Sequence, residues 1–195
     1  MKVRESGMPD EALWSSFFDP ERILRAFSID KNTKDVVEFG CGYGTFTLVT
    51  ALLISGIVFA IDIEPAMIAT VREKCDREGI SNVLAEELDF VAKGTGLPGD
   101  FADAAFLFNI LHHEQPVSLM TEALRVLRPE GRLMVIHWNH NPDTPRGPAL
   151  EIRPRPDQCI EWGRVAGFVF SPDDLLDLKP YHYGLIFRKP QENRS

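Results

Sequence analysis

The sequence is poor in cysteine. Three occur in 195 residues, Cys41, Cys75 and Cys159. They are odd in number, widely spaced and form no C-x-x-C pair, which argues against a disulfide framework and a structural zinc site. Nothing in their spacing gathers them around a soft ion, so no metal is expected. A reducing cytoplasm is the expected compartment. Positive charge is also short: 21 Lys and Arg stand against 29 Asp and Glu, for a net charge of −8. An acidic chain is poorly suited to tracking phosphate backbones, so no nucleic acid partner is expected. Long hydrophobic runs are missing too. The longest, Leu48 to Ile63, is broken by Thr50, Ser55, Gly56 and Asp62, so no membrane span is expected. Residues Met1 to Gly7 lack the apolar core of a signal peptide. No internal repeat and no low-complexity segment is visible. What remains is an ordinary folded composition, 44% apolar, enough for one domain with a real core.

The chain is organised around residues 36–44, Val-Val-Glu-Phe-Gly-Cys-Gly-Tyr-Gly. A short apolar run holds an acid and ends in three glycines at alternate positions. A helical stretch follows from Thr45 to Leu53. Strand, tight turn, helix is the reading. Glycine permits backbone angles that side chains forbid and lets a ligand approach the main chain. The turn either cradles a nucleotide-like ligand at a strand's carboxyl end or simply reverses the chain in another α/β domain. The G-x-G-x-x-G dinucleotide pattern does not fit, because Thr45 stands where its third glycine would be.

In chain order, residues 1–10 are expected to fray. Glu11 to Phe27 reads as helix interrupted at Asp19-Pro20, where Asp19 can cap a helix opened by Pro20. Residues 1–30 form either a lid over the ligand site or a helix packed on the sheet. Residues 31–195 form the main domain, one compact unit overall. Strands are expected at 35–39, 57–61, 82–86, 104–108 and 133–136. Helices are expected at 65–79, 115–127 and 157–166, with a loop from Leu88 to Gly99. The continuous apolar runs suit buried parallel strands. Two closing strands, 175–178 and 183–188, are joined by too short a link for a crossover and must be antiparallel. Strand–helix alternation implies an α/β fold, a parallel sheet with helices on both faces.

Asp62 closes the second strand about 20 residues after the glycines, where a carboxylate can accept both ribose hydroxyls of a nucleoside. It could also cap the helix beginning near Pro65. With Glu38 to Gly44, four blocks now stand in order: the glycine turn, Ala60 to Met67, Asp103 before the fourth strand, and Leu124 to Leu133. Together they resemble the class I S-adenosylmethionine (SAM) dependent small-molecule methyltransferases, over roughly residues 30 to 189. The resemblance implies a Rossmann-like, doubly wound seven-stranded sheet of order 3-2-1-4-5-7-6, the seventh strand antiparallel. It also implies SAM as cofactor and S-adenosylhomocysteine as product. Glu38, Gly40, Cys41, Gly42 and Gly44 would then hold the methionine part. Asp62 would take the ribose, Ile63 would stack on adenine, and Asp89 with Phe90 would meet the adenine amino group. Asn109, closing the fourth strand, would approach the sulfonium. The loop Val91 to Gly99 is longer than the family pattern leads one to expect, which leaves the adenine contacts least defined.

Five histidines occur, all near carboxyl ends of strands or the final turn. His113 and His137, directly after the fourth and fifth strands, are the candidates for a base or a substrate contact. His182 opens the seventh strand on the same edge. The segment from His140 to Pro156 carries five prolines and is a shaped loop. Its Arg146, Arg153 and Arg155 either bind an anionic substrate through forked donors or pair with local acids. The expected function is methyl transfer from SAM to a small, anionic acceptor by a monomer or homodimer. The alternatives are a SAM- or adenosine-binding protein without transferase activity, and a nicotinamide-dependent oxidoreductase, which the missing glycine disfavours.

Overall fold

The computed structural model describes residues 9–191. The expected fraying therefore falls, for residues 1–8, outside the described residues, as does that part of the proposed lid. Seven strands form one sheet: β1 (Val36–Phe39), β2 (Val58–Asp62), β3 (Val83–Glu87), β4 (Ala102–Phe108), β5 (Leu127–Trp138), β6 (Val169–Leu178) and β7 (His182–Arg188). Their order is β3-β2-β1-β4-β5-β7-β6. β1 to β5 run parallel, and β7 is antiparallel to both of its neighbours. The expected topology is thus observed.

Side chains alternate across each strand, so the sheet builds two cores. Val36, Ala60, Phe106 and Met134 pack on one face with α2 (Pro20–Ala26), α3 (Thr47–Leu53) and α4 (Pro65–Glu78). Val37, Ile61, Leu107 and Val135 pack on the other with α6 (Pro116–Val126) and α7 (Pro156–Ala166). All seven residues of β4 are buried, as a central strand covered on both faces requires. Local signals set the helix ends. Asp19 accepts the backbone N–H of Arg22 and Pro20 opens α2, while Gly79 (φ 67°) and Gly167 (φ 103°) close α4 and α7 in the left-handed region. A separate short helix, α1 (Glu11–Ser15), precedes α2.

Three elements depart from the sequence reading. The expected loop after β3 contains a short helix, α5 (Phe90–Lys93), because Asp89 caps it by accepting the Ala92 N–H. β5 starts six residues earlier than its apolar centre, since Leu127 already pairs with Ala102 before the register shifts. β6 starts at Val169, but its ladder to β7 breaks between Phe170 and Leu175, where Pro172 has no N–H to give.

Candidate active site

The glycine turn is tied down by β2. Gly40 and Cys41 both donate their N–H groups to the Ile61 carbonyl, at 2.8 and 3.0 Å. Gly42 donates to Asp62 Oδ2 at 2.8 Å, and Glu64 donates to Asp62 Oδ1 at 3.0 Å. Asp62 therefore organises the turn before any ligand arrives. Burial raises its pKa above the usual carboxylate value, although these backbone bonds oppose the shift. Gly40, Gly42 and Gly44 all have positive φ. Glu38 lies beneath the turn, 3% exposed, accepting the Thr47 hydroxyl. Burial pushes its carboxyl up to about 8; the Thr47 bond opposes this and the Asp62 charge adds to it.

A cavity of about 660 Å3 opens above these residues. It sits where the strand order reverses between β1 and β4, the place where open α/β sheets bind ligands. Sheet order divides its walls. Over β1, β2 and β3 lie Glu38, Asp62, Glu64 and Asp89, an acidic half. Over β4 and β5 lie His112, His113, Trp138 and Arg146. Asn109 stands at the boundary, a non-glycine residue at φ 57°. Its side-chain oxygen and nitrogen are buried with no hydrogen-bond partner, and Thr45 Oγ1 nearby in the wall is likewise unpaired. Buried polar atoms are normally satisfied, so these point to a ligand rich in polar groups. Two carboxylates and an unpaired amide and hydroxyl suit a ligand bearing an ammonium and hydroxyls, as SAM does.

The histidines form a chain leading inward. His137 is fully buried; its Nδ1 accepts the Trp138 N–H at 3.0 Å, and its Nε2 lies 3.4 Å from His112 Nδ1. Burial holds its pKa well below the usual histidine value. His182 is buried between the rings of Trp138 and Phe18, at centroid distances of 4.2 and 4.6 Å, and burial holds its pKa down to about 3. Arg153 is buried under the proline-rich loop, where its guanidinium donates to the carbonyls of Asn139, Asn141, Arg146 and Pro148 and to the Thr144 hydroxyl.

The family model of a methyltransferase domain matches residues 37–135. The chain belongs to that family. The ribosomal protein L11 methyltransferase of Vibrio campbellii is 28% identical over 149 residues, covering 72% of this chain and 46% of that protein. The chain thus spans about half the length of the curated relatives it matches. Among solved structures, a SAM dependent methyltransferase from Aquifex aeolicus superposes with a TM-score of 0.81 at 23% identity, over 92% of this chain and 94% of that one. Phosphoethanolamine N-methyltransferase 2 from Haemonchus contortus, in complex with S-adenosyl-L-methionine, gives 0.73 at 14%, over 88% and 52%. Both share the fold.

In this methyltransferase domain, nine of the ten residues expected around the cofactor line the cavity: Glu38, Gly40, Cys41, Gly42, Asp62, Ile63, Asp89, Phe90 and Asn109. Gly44 does not. A Cβ there would lie 2.7 Å from Leu48 Cδ1 and 3.1 Å from Val71 Cγ2, so this glycine lets α3 and α4 pack together. His113 and Arg146 line the other half. His137 and His182 are sealed behind His112 and Trp138, and Arg153 serves the loop from within; none of the three is among the lining residues. Arg155 is exposed at the start of α7 and also lies off the cavity. Sequence reasoning passed over His112, Thr45, Trp14 and Trp138. The adjacent pair His112-His113 marked the place without showing which ring reaches inward.

Proposed function

We propose that this domain transfers a methyl group from SAM to a small, anionic acceptor. The carrying observation is a cavity with an acidic half and a donor-rich half meeting at unpaired Asn109. Asp62 would accept the ribose hydroxyls through the lone pairs its backbone bonds leave over. Ile63, 37% exposed at the rim, offers a branched apolar side chain to adenine, with Asp89 and Phe90 beside it. Glu38 and the turn would hold the methionine end, and Asn109 would face the sulfonium region. Bound there, SAM supplies an electrophilic methyl group. The protein's part is position and electrostatics. Arg146 would draw in the acceptor's charge.

The N-terminal segment is proposed as a lid. Pro9 and Trp14 line the cavity. Tyr43, inside the turn, donates its hydroxyl to the Pro9 carbonyl at 3.0 Å, and Lys74 bridges the Glu11 carboxylate and the Tyr43 carbonyl. The three cysteines are buried and free, which supports a reducing compartment. Among the described residues, no helix is long and apolar enough to cross a membrane.

Calorimetric titration tests the reading. SAM and S-adenosylhomocysteine are expected to bind in the micromolar range and NAD not at all. Silence toward the first two overturns it, and binding without transfer of label from methyl-labelled SAM leaves a binding protein. Asp62→Ala is expected to weaken SAM binding by roughly 1–3 kcal/mol, the scale of lost charged hydrogen bonds. Unchanged affinity in a folded variant would remove Asp62 from the ribose.

A further inference from the structure

The roof element α1 cannot hold itself in place. It has 5 residues, none of them buried, and an isolated helix that short is not stable in water. Yet it is set over the cavity, where Trp14 and the preceding Pro9 join the wall. The contacts that keep it there converge on the glycine turn. Lys74 of α4 pairs with the Glu11 carboxylate and donates to the Tyr43 carbonyl at 2.6 Å. Tyr43 donates its own hydroxyl to the Pro9 carbonyl at 3.0 Å. Ring contacts run the same way. Trp14 packs on Phe18 at a centroid distance of 4.9 Å, and Phe18 packs at 5.3 Å on Phe46, which caps α3.

The Lys74 side chain is only 15% exposed, low for a lysine. Val71, three residues earlier on the same face of α4, packs against Gly44. α4 therefore grips the turn twice, by packing at Gly44 and by a charged donor at the Tyr43 carbonyl. The second grip is shared with the roof, because an ammonium has donors for a carboxylate and a carbonyl at once. Lys74, Glu11 and Tyr43 are not among the residues lining the cavity, so none of them is placed to touch a cofactor.

We propose that Lys74 is a positioning residue that couples the roof to the cofactor turn. A ligand settling against Gly40, Cys41 and Gly42 steadies the turn. The steadied Tyr43 carbonyl holds Lys74, and Lys74 holds Glu11, with Trp14 three residues further along α1. The linkage is reciprocal: the order that the ligand gives the roof comes back as affinity for the ligand. The cofactor then leaves when the roof loosens. This deepens the methyl-transfer reading and rests on it for the identity of the ligand.

Hydrogen exchange of the full chain, read by mass spectrometry over residues 9–18 with and without S-adenosylhomocysteine, tests the coupling alongside calorimetric affinity. In the wild-type protein the ligand is expected to slow exchange in this segment about tenfold or more. In Lys74→Met, which keeps the stem and loses both bonds, that gain is expected to vanish. Affinity should fall about tenfold, through faster dissociation. Glu11→Gln leaves the Tyr43 bond in place and removes the charge at the roof end, and should cost about threefold. The double variant should bind no worse than Lys74→Met alone, and Lys74→Arg should recover most of the protection. A lysine that only stabilised the fold would lower the melting temperature of Lys74→Met and leave the ligand's protection of residues 9–18 unchanged. That result overturns the proposal, as does a Lys74→Met affinity within about twofold of the parent. If Lys74→Met does not fold, Glu11→Gln decides, and undiminished protection there overturns it. If S-adenosylhomocysteine does not bind the wild-type protein, the methyl-transfer reading fails. The ligand-free exchange then decides whether Lys74 holds the roof: faster in Lys74→Met if it does, unchanged if it does not.

Discussion

Glu38→Gln is expected to stabilise the protein by about 3–5 kcal/mol above pH 8 while weakening SAM binding by about 1.5–3 kcal/mol. The Glu38 carboxyl is buried beside the Asp62 carboxylate, and the Thr47 hydroxyl is its one recorded hydrogen-bond partner among the described residues. Folding raises its pKa from 4.5 to about 8. Between those values the unfolded chain has ionised this group and the folded one still holds its proton. Unfolding therefore releases a proton, and stability falls as pH rises through that window, levelling off above 8. Glutamine keeps the acceptor for Thr47 and cannot ionise, so this slope should vanish. Thermal melts from pH 4 to 9 on both proteins check it; parallel slopes would show that Glu38 is not held as a strained acid. The loss of affinity follows because glutamine carries no charge toward the ammonium of SAM. Below pH 8, SAM binding to the wild-type protein should release a proton, visible as a dependence of the binding heat on the buffer.

The second large effect is expected at Arg153. Its guanidinium reaches the carbonyls of Asn139, Arg146 and Pro148 at 2.9, 3.3 and 2.8 Å, with Asn141 and Thr144 also in the set. Arg153→Met removes every one of these donors and leaves partly buried carbonyls without partners. The cost should be about 3–5 kcal/mol in chemical denaturation. Trypsin should cut after Arg146 much faster. Arg153→Lys should recover little, because an ammonium cannot reproduce the five-donor fork. The acidic half is built from other strands, so SAM affinity should hold within about a factor of two. A methionine variant as stable as the parent would mean the loop is held by its prolines alone.

The strand–turn–helix, Asp62 and the closing hairpin were legible in the sequence because each rests on neighbours in the chain. Alternate glycines, an acid at a strand end and a link too short for a crossover leave few other solutions. The half of the cavity over β4 and β5 was not legible, because it depends on burial. An arginine among prolines reads as a surface side chain, yet Arg153 is the loop's internal tie. His137 reads as a strand-end base, yet the alternation of β5 turns it under His112. Thr45 reads as the first residue of a helix, and its unpaired hydroxyl appears only once the cavity exists. A finer reading could have found α5, since Asp89 three residues before Ala92 is an ordinary N-cap signal.

The break in the β6–β7 ladder bears on how copies of this chain behave when crowded together. An edge strand offers its free backbone groups to any other strand that drifts alongside, and β6 is such an edge, with Val169 and Leu175 exposed. Pro172 removes one donor from that row, the register slips around it, and Asp173 places an exposed charge at the gap while Asp174 pairs with Arg188. The opposite edge, β3, ends in Glu86 and Glu87. Two molecules meeting edge to edge at β6 would find an interrupted template, which disfavours growth of the sheet from chain to chain.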